Sequence, residues 1–142
     1  MQDTRELTSE ITIEAPAEDV WEAITDPERI KEWFFGVDTI TDWTEGGSIV
    51  HKGEWQGKPY EDKGEVVKVE RPKTLIHTHW SSMSGLPDAP ENYQEVRWSL
   101  SAEDGRTTLS VSEDNIPSEE AREMSEKTWK TVLTKLKEIL ER

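Results

Sequence analysis

The chain has 142 residues, the length of one domain, and contains no cysteine. Its 31 acidic side chains outnumber the 17 basic ones, so the formal net charge is −14 with histidine neutral. These figures exclude disulfide-bonded scaffolds, cysteine-ligated metal sites and thiol catalysis. Because the basic residues form no patch, the charge also argues against binding to nucleic acid or to anionic membranes. The acidity itself favours a role in solubility over adaptation to a salty habitat.

No segment has the composition of a targeting signal or a membrane span. The first thirty residues lack a basic stretch followed by an apolar run, and no stretch approaches the roughly 18 apolar residues needed to cross a bilayer. We therefore expect a soluble, cytoplasmic protein. Seven tryptophans stand within a hydrophobic fraction of only 32%, which predicts a small core built on large aromatic side chains.

The chain opens with a predicted strand and two predicted short helices. Apolar and polar residues alternate over residues 7–14, which is typical of a half-buried strand. From Ala17 the apolar spacing becomes helical. Asp26 and Pro27 then supply an N-cap and a first-turn proline for a second helix, which is expected to end at Gly36.

Residues 37–111 have the pattern of an antiparallel strand meander. Turn residues recur at intervals, and the strand-like runs between them are 48–55, 60–70, 74–81, 93–102 and 106–112. In the fourth run Val96, Trp98 and Leu100 share one face and polar residues occupy the other. This alternation predicts a sheet with one buried and one solvated face.

A long loop and a long helix complete the predicted elements. Residues 81–91 have no periodicity and contain Met83 and Leu86, so they predict a loop that could close over a cavity. Ser118 opens a capping box, and an amphipathic helix follows to the C-terminus. A helix of roughly 23 residues spans about 35 Å, and its apolar stripe predicts packing against the open face of the sheet.

The element order β-α-α-β6-α and several local patterns resemble a known family. The patterns are residues 13–17 leading into 20–27, Ile30 with Trp33-Phe34, Gly46-Gly47, Gly64-Glu65-Val66, residues 71–75, residues 107–111 and residues 129–133 with Leu136 and Leu140. Together they resemble the START and plant-allergen (SRPBCC) superfamily, and within it the family related to the C-terminal domain of the activator of heat shock protein 90 ATPase. The resemblance implies one α+β helix-grip domain over residues 1–142. In that fold a curved antiparallel sheet grips the last helix around a cavity for small apolar molecules.

His77 and His79 depart from the aromatic residues that the family tends to carry on this strand. If Leu75 faces the cavity, period two places both histidines inside with it, whereas residues 76, 78 and 80 form the rival inward set. A polar pair in the pocket, two solvated histidines and a metal site all stay open. We expect no metal and no other cofactor, because a third ligand such as His51 lies two strands away, at roughly 9 to 10 Å.

The sequence contains no recognisable catalytic motif, so no catalytic residue is assigned. We expect a domain that binds a small apolar or aromatic ligand. The expected ligand-binding residues come from both the helices and the sheet, and they are Trp33, His77, His79, Met83, Trp98, Met124 and Trp129. Trp33 is expected at the pocket mouth and Trp21 in the core, while Trp43, Trp55 and Trp80 are as consistent with the rim or a partner surface as with the interior.

Two other functions stay open. The resemblance implies a chaperone-associated interaction module, which would need exposed apolar residues around Trp43 and Trp55. Eukaryotic activators carry a further N-terminal docking domain that these residues do not contain, so this interpretation ranks below ligand binding. The third is a cyclase-like or hydrolase-like enzyme, in which a pocket histidine such as His77 exchanges protons with an acid such as Glu95.

Overall fold

The computed structural model describes residues 5–142, apart from the side chain of Trp55. Helices and strands follow one another in the predicted order: β1 Arg5–Ile13, α1 Ala17–Thr25, α2 Pro27–Trp33, β2 Asp38–Ile40, β3 Ser48–Trp55, β4 Lys58–Glu70, β5 Thr74–Ser81, β6 Gln94–Glu103, β7 Arg106–Ile116 and α3 Glu119–Leu140. One turn of 3-10 helix, Pro90–Asn92, lies in the β5–β6 loop. The predicted α+β helix-grip fold is confirmed.

The strands form one curved antiparallel sheet in the order β1-β7-β6-β5-β4-β3-β2. Consecutive strands pair from β2 to β7, and β1 returns to pair with β7. The six-strand meander is therefore present. Its first strand has only three residues, too few for alternation to reveal it from the sequence.

Helix α3 packs its apolar stripe into the core formed by the concave face of the sheet. Val132, Leu133, Leu136 and Ile139 are buried there with side chains of β6, β7 and the two short helices. Full burial of a side chain of this kind contributes roughly 1.5 to 3 kcal/mol to folding, so this stripe anchors the helix. No helix within residues 5–142 is long and apolar enough to cross a membrane.

Both predicted N-caps are confirmed. The Asp26 carboxylate accepts a hydrogen bond from the backbone N–H of Glu28 at 3.0 Å, and the Ser118 hydroxyl accepts one from that of Ala121 at 3.1 Å. Helix α2 ends at Trp33 rather than Gly36. The chain leaves the helix early because Phe35 takes up a left-handed conformation, with φ of 53°.

Strand β4 contains a bulge that positions the strand beside it. Its register with β5 shifts between Val66 and Lys68, and next to this shift Gly64 approaches Thr78 very closely. A Cβ atom on Gly64 would overlap the carbonyl oxygen of Thr78. Glycine is therefore required here by the close contact between strands rather than by an unusual φ.

Candidate functional site

A cavity of about 330 Å³ lies between the sheet, α3 and the two short helices. All seven residues predicted to bind a ligand line it: Trp33, His77, His79, Met83, Trp98, Met124 and Trp129. Most of the remaining wall is aliphatic or aromatic, with Ile24, Leu75 and Val96 among its members. The fold thus brings together residues that are spread over nearly a hundred positions of the chain.

Three indole rings build one wall of the cavity. Trp98 meets both Trp33 and Trp129 edge to face, with ring centroids 5.8 and 5.5 Å apart. The indole N–H of Trp33 donates to the carbonyl oxygen of Ala23 at 2.7 Å, and that of Trp129 donates to Glu113 Oε1 at 2.9 Å. Trp33 is only 5% exposed. It therefore belongs to the inner wall, and the expectation that it stands at the mouth is wrong.

The mouth is formed instead by exposed apolar side chains that also line the cavity. Phe35, Met83 and Met124 are 52%, 55% and 66% exposed. Met83 comes from the β5–β6 loop, so this part of the predicted lid does border the cavity. Leu86 lines an adjoining depression under the same loop rather than the cavity itself.

The other tryptophans have structural partners. Trp21 is buried in the core, as expected. Trp43 is partly buried, lines the cavity and donates from its indole N–H to the carbonyl oxygen of Thr25 at 2.7 Å. Trp80 stacks on Tyr93 and donates to the carbonyl oxygen of Leu86 at 3.2 Å, so it fastens the β5–β6 loop to the sheet. The side chain of Trp55 lies outside the described residues.

Strand β5 turns its histidines inward. Leu75, His77 and His79 all line the cavity, which selects the pocket-lining interpretation over the solvated one. Thr78 faces the other way, where its hydroxyl accepts from the backbone N–H of Glu65 at 2.8 Å. Among the described residues, no three His, Asp or Glu side chains are grouped as ligands of a metal ion.

A partly buried ion pair joins β5 to β4. His79 Nε2 donates to Asp62 Oδ2 at 3.1 Å. Burial alone would raise the pKa of Asp62, but the hydrogen bond from His79, the charge of His79 and the Ser81 side chain together hold it below its ordinary value. Burial would likewise lower the pKa of His79, but Asp62 and the charge of Glu113 raise it. The pair therefore favours an imidazolium beside a carboxylate.

The other two histidines are neutral. Burial, with the nearby His77 and His79, lowers the pKa of His51 to about 3, and burial lowers the pKa of His77 to about 4. His51 Nδ1 is hydrogen-bonded to the Thr39 hydroxyl at 2.9 Å. His77 Nδ1 lies 3.0 Å from the carbonyl oxygen of Thr78. Because a carbonyl oxygen only accepts hydrogen bonds, Nδ1 of His77 carries the proton and Nε2 keeps a lone pair.

The family described as "Activator of Hsp90 ATPase homolog 1-like protein" matches residues 14–141. The chain belongs to this family. The resemblance drawn from the sequence is thereby confirmed. No curated protein matches the chain.

Three solved structures illustrate how this activator-like fold recurs. ChR145 from Cytophaga hutchinsonii is 41% identical over 99% of this chain and 97% of that chain, with a TM-score of 0.85. DynU16, from the dynemicin biosynthetic locus, is 27% identical over 96% of this chain and 47% of that chain, with a TM-score of 0.74. The Aha1 dimer from Colwellia psychrerythraea is 21% identical over 96% of both chains, with a TM-score of 0.77, which shows the shared fold alone.

Within this activator-like domain, two acidic side chains of the cavity were not predicted from the sequence. They are Asp62 and Glu113, whereas Glu95, the acid proposed for proton exchange, pairs with Arg97 and is not part of the cavity wall. A signal for Glu113 was available, because it continues the inward alternation of Leu109 and Val111. The predicted strand stopped at residue 112, one residue too early to include it.

Proposed function

We propose that this member of the Hsp90-activator-like family is a small-molecule binding domain, and that its ligand is compact, largely apolar and aromatic. The observation that carries the proposal is the ring-lined cavity of about 330 Å³. Small-molecule pockets commonly measure roughly 300 to 1,000 Å³ and have mostly apolar walls with a few polar groups. Trp33, Trp98 and Trp129 support it further, because their rings brace one another and so hold the space open.

The similarity to DynU16 points in the same direction. That protein is assigned to a biosynthetic locus for dynemicin, a setting in which a small-molecule ligand is natural. A chaperone-associated role would require an exposed apolar surface around Trp43 and Trp55. The Trp43 indole is instead partly buried, lines the cavity and is bonded to Thr25, and the side chain of Trp55 lies outside the described residues. Ligand binding is therefore the better supported function.

Binding can be tested through the indole N–H resonances in a two-dimensional NMR spectrum of the full chain. The compounds to titrate are naphthalene, a medium-chain fatty acid and a sterol. We expect at least one compound to shift the resonances of Trp33 and Trp129, which line the cavity, and to leave that of Trp80 unchanged. The proposal fails if no compound moves the cavity resonances, or if Trp80 responds alone.

A cavity-filling substitution supplies the matched control. Val96 is buried and lines the cavity, so Val96→Phe should abolish the shifts by occupying the space. Val67 is exposed on β4 and lies outside the cavity wall, so Val67→Phe should leave them intact. If Val96→Phe does not fold, Ser125→Phe fills the cavity from a less buried position on α3. Full binding by a folded, filled variant would contradict the proposal.

A further inference from the structure

The proposed binding of an apolar ligand leaves one cluster of side chains unused. His51, Asp62, His77 and His79 project from the adjacent strands β3, β4 and β5, and all four line the same cavity. Burying such groups costs free energy, whereas aliphatic residues of similar volume would fill the positions without that cost. An apolar ligand gains nothing from them. Their presence therefore calls for a ligand with a polar part.

The cluster contains two atoms that can still accept a hydrogen bond, one on Asp62 and one on His77. The Asp62 side chain is only 9% exposed, and its Oδ2 atom is hydrogen-bonded to His79. Its Oδ1 atom is buried and makes no hydrogen bond to any described residue. His77 gives its ring proton to the carbonyl oxygen of Thr78, which leaves Nε2 with a lone pair. Both residues line the cavity, and each has an acceptor atom without a hydrogen-bond donor among the described residues.

The charges around these two acceptors determine which polar group of a ligand can bind there. His77 is neutral, and the second acid of the cavity, Glu113, accepts from Trp129. A ligand carboxylate would meet two acids, Asp62 and Glu113, and the only positive charge beside them among the described residues of the wall, that of His79, is already paired with Asp62. Like charges in a poorly solvated site repel strongly. A charged ammonium group would lose its hydration on entering a wall made mostly of rings. An uncharged hydroxyl can donate its hydrogen without either cost.

We propose that Asp62 and His77 form a hydrogen-bond-accepting subsite for an aromatic hydroxyl group. The cavity should then prefer a phenolic ring system over the same rings without the hydroxyl, and over the same rings with a carboxylate in its place. The inference rests on the proposed binding function and adds the chemical class of the ligand to it.

Three compounds of one ring system test the subsite. Naphthalene, 2-naphthol and 2-naphthoate are titrated into the full chain at neutral pH, followed by the cavity indole resonances or by calorimetry. Because a hydrogen bond to a charged group is among the stronger ones, 2-naphthol should bind roughly tenfold or more tightly than naphthalene. 2-Naphthoate should bind more weakly than naphthalene.

Variants of Asp62 and His77 test whether these two residues cause the preference for 2-naphthol over naphthalene. Asp62→Asn keeps the shape of the side chain but replaces one acceptor oxygen with an N–H donor, so the ratio of the naphthalene and 2-naphthol dissociation constants should fall towards one. His77→Phe, which keeps a ring but loses the lone pair, should reduce the same ratio. Glu61 neighbours Asp62 in sequence but is exposed and lies outside the cavity wall, so Glu61→Gln should keep the full preference.

The two proposals fail in different ways. If naphthalene and 2-naphthol both fail to bind, the proposed function is overturned together with the subsite. If they bind equally well, or if 2-naphthoate binds best, the subsite is overturned while the cavity keeps its function. The subsite is also overturned if both folded variants keep the preference of the unchanged chain for 2-naphthol.

Discussion

His51 and His77 link the polar end of the cavity to the stability of the whole protein. Their pKa values of about 3 and about 4 in the folded chain lie below the ordinary value of 6.5. Below pH 6.5 the unfolded chain therefore binds protons that the folded chain does not. As the pH falls, each histidine therefore lowers the free energy of unfolding by up to about 1.4 kcal/mol per pH unit. This loss stops once the pH reaches the pKa of that histidine in the folded chain. We expect stability to fall steadily from about pH 6 to about pH 4.5.

Replacing one histidine separates this effect from general acid sensitivity. In His77→Gln the free energy of unfolding, measured with urea over the same pH range, should fall with a slope shallower by close to one proton. His79 behaves in the opposite way. Its pKa is raised, so its contribution is complete below pH 6.5 and is lost only as the pH rises through the folded value. An unchanged acid slope in His77→Gln would contradict the assignment of a buried neutral ring.

At the scale of elements, the parts of the fold with strong periodicity could be predicted from the sequence. The bounds of β3 and β5 match the predicted runs, and α3 begins where the Ser118 cap indicates. These elements follow local rules, because alternation and capping depend only on near neighbours. The end of β7 does not follow such rules. The strand continues through polar residues to Ile116 because β1 and β6 supply partners that only the folded chain brings alongside.

Part of the candidate site could likewise be predicted from the sequence, and part of it could not. The seven residues predicted to bind a ligand could be placed on the cavity wall because large aromatic, histidine and methionine side chains on amphipathic elements converge in a helix-grip fold. The inward direction of Asp62 could not be predicted, because β4 changes phase along its length. Residues 60, 62 and 66 face inward before the bulge, and Val69 faces inward after it. A shift of one residue exchanges the two faces of a strand. Alternation in a single sequence does not locate such a shift, so Asp62 was not predicted to face the cavity.

The bulge region itself supports a prediction about strand spacing. Gly64 lies against the backbone of Thr78, and a Cβ atom would overlap its carbonyl oxygen. In Gly64→Ala the strands must therefore move apart where β5 carries His77 and His79. We expect a loss of about 1 to 3 kcal/mol in the free energy of unfolding, the range typical of overpacking. Chemical denaturation measures it directly.

Val67→Ala is the matched control for this prediction, because Val67 lies on the same strand but is exposed. Its effect should be within about 0.5 kcal/mol, as for surface substitutions in general. Shifted amide resonances of His77 and His79 in Gly64→Ala would show that the glycine also positions the histidine strand. Equal stability of the two variants would refute the close-contact argument.

At the scale of the whole molecule, the 31 acidic side chains outnumber the 17 basic ones, so ion pairing leaves many acids without a basic partner. The ion pairs of the described residues lie mostly at the surface, and many join residues three or four apart on one helix, such as Arg29 with Glu32 and Arg122 with Glu126. Pairs of this kind neutralise charge locally. They leave a formal net charge of −14 to repel itself when the chain is compact.

Salt should therefore stabilise this protein at neutral pH. Raising sodium chloride from about 20 mM to about 0.5 M shortens the screening length severalfold, which weakens the long-range repulsion more than the close ion pairs. We expect the thermal midpoint to rise by several degrees, since 1 kcal/mol corresponds to about 2 to 4 °C for a chain of this size. Near the isoelectric point, about pH 4.6, the net charge vanishes and the same addition should have little effect. A midpoint that is insensitive to salt at neutral pH, or that rises equally at both pH values, would show that charge repulsion is not what limits stability.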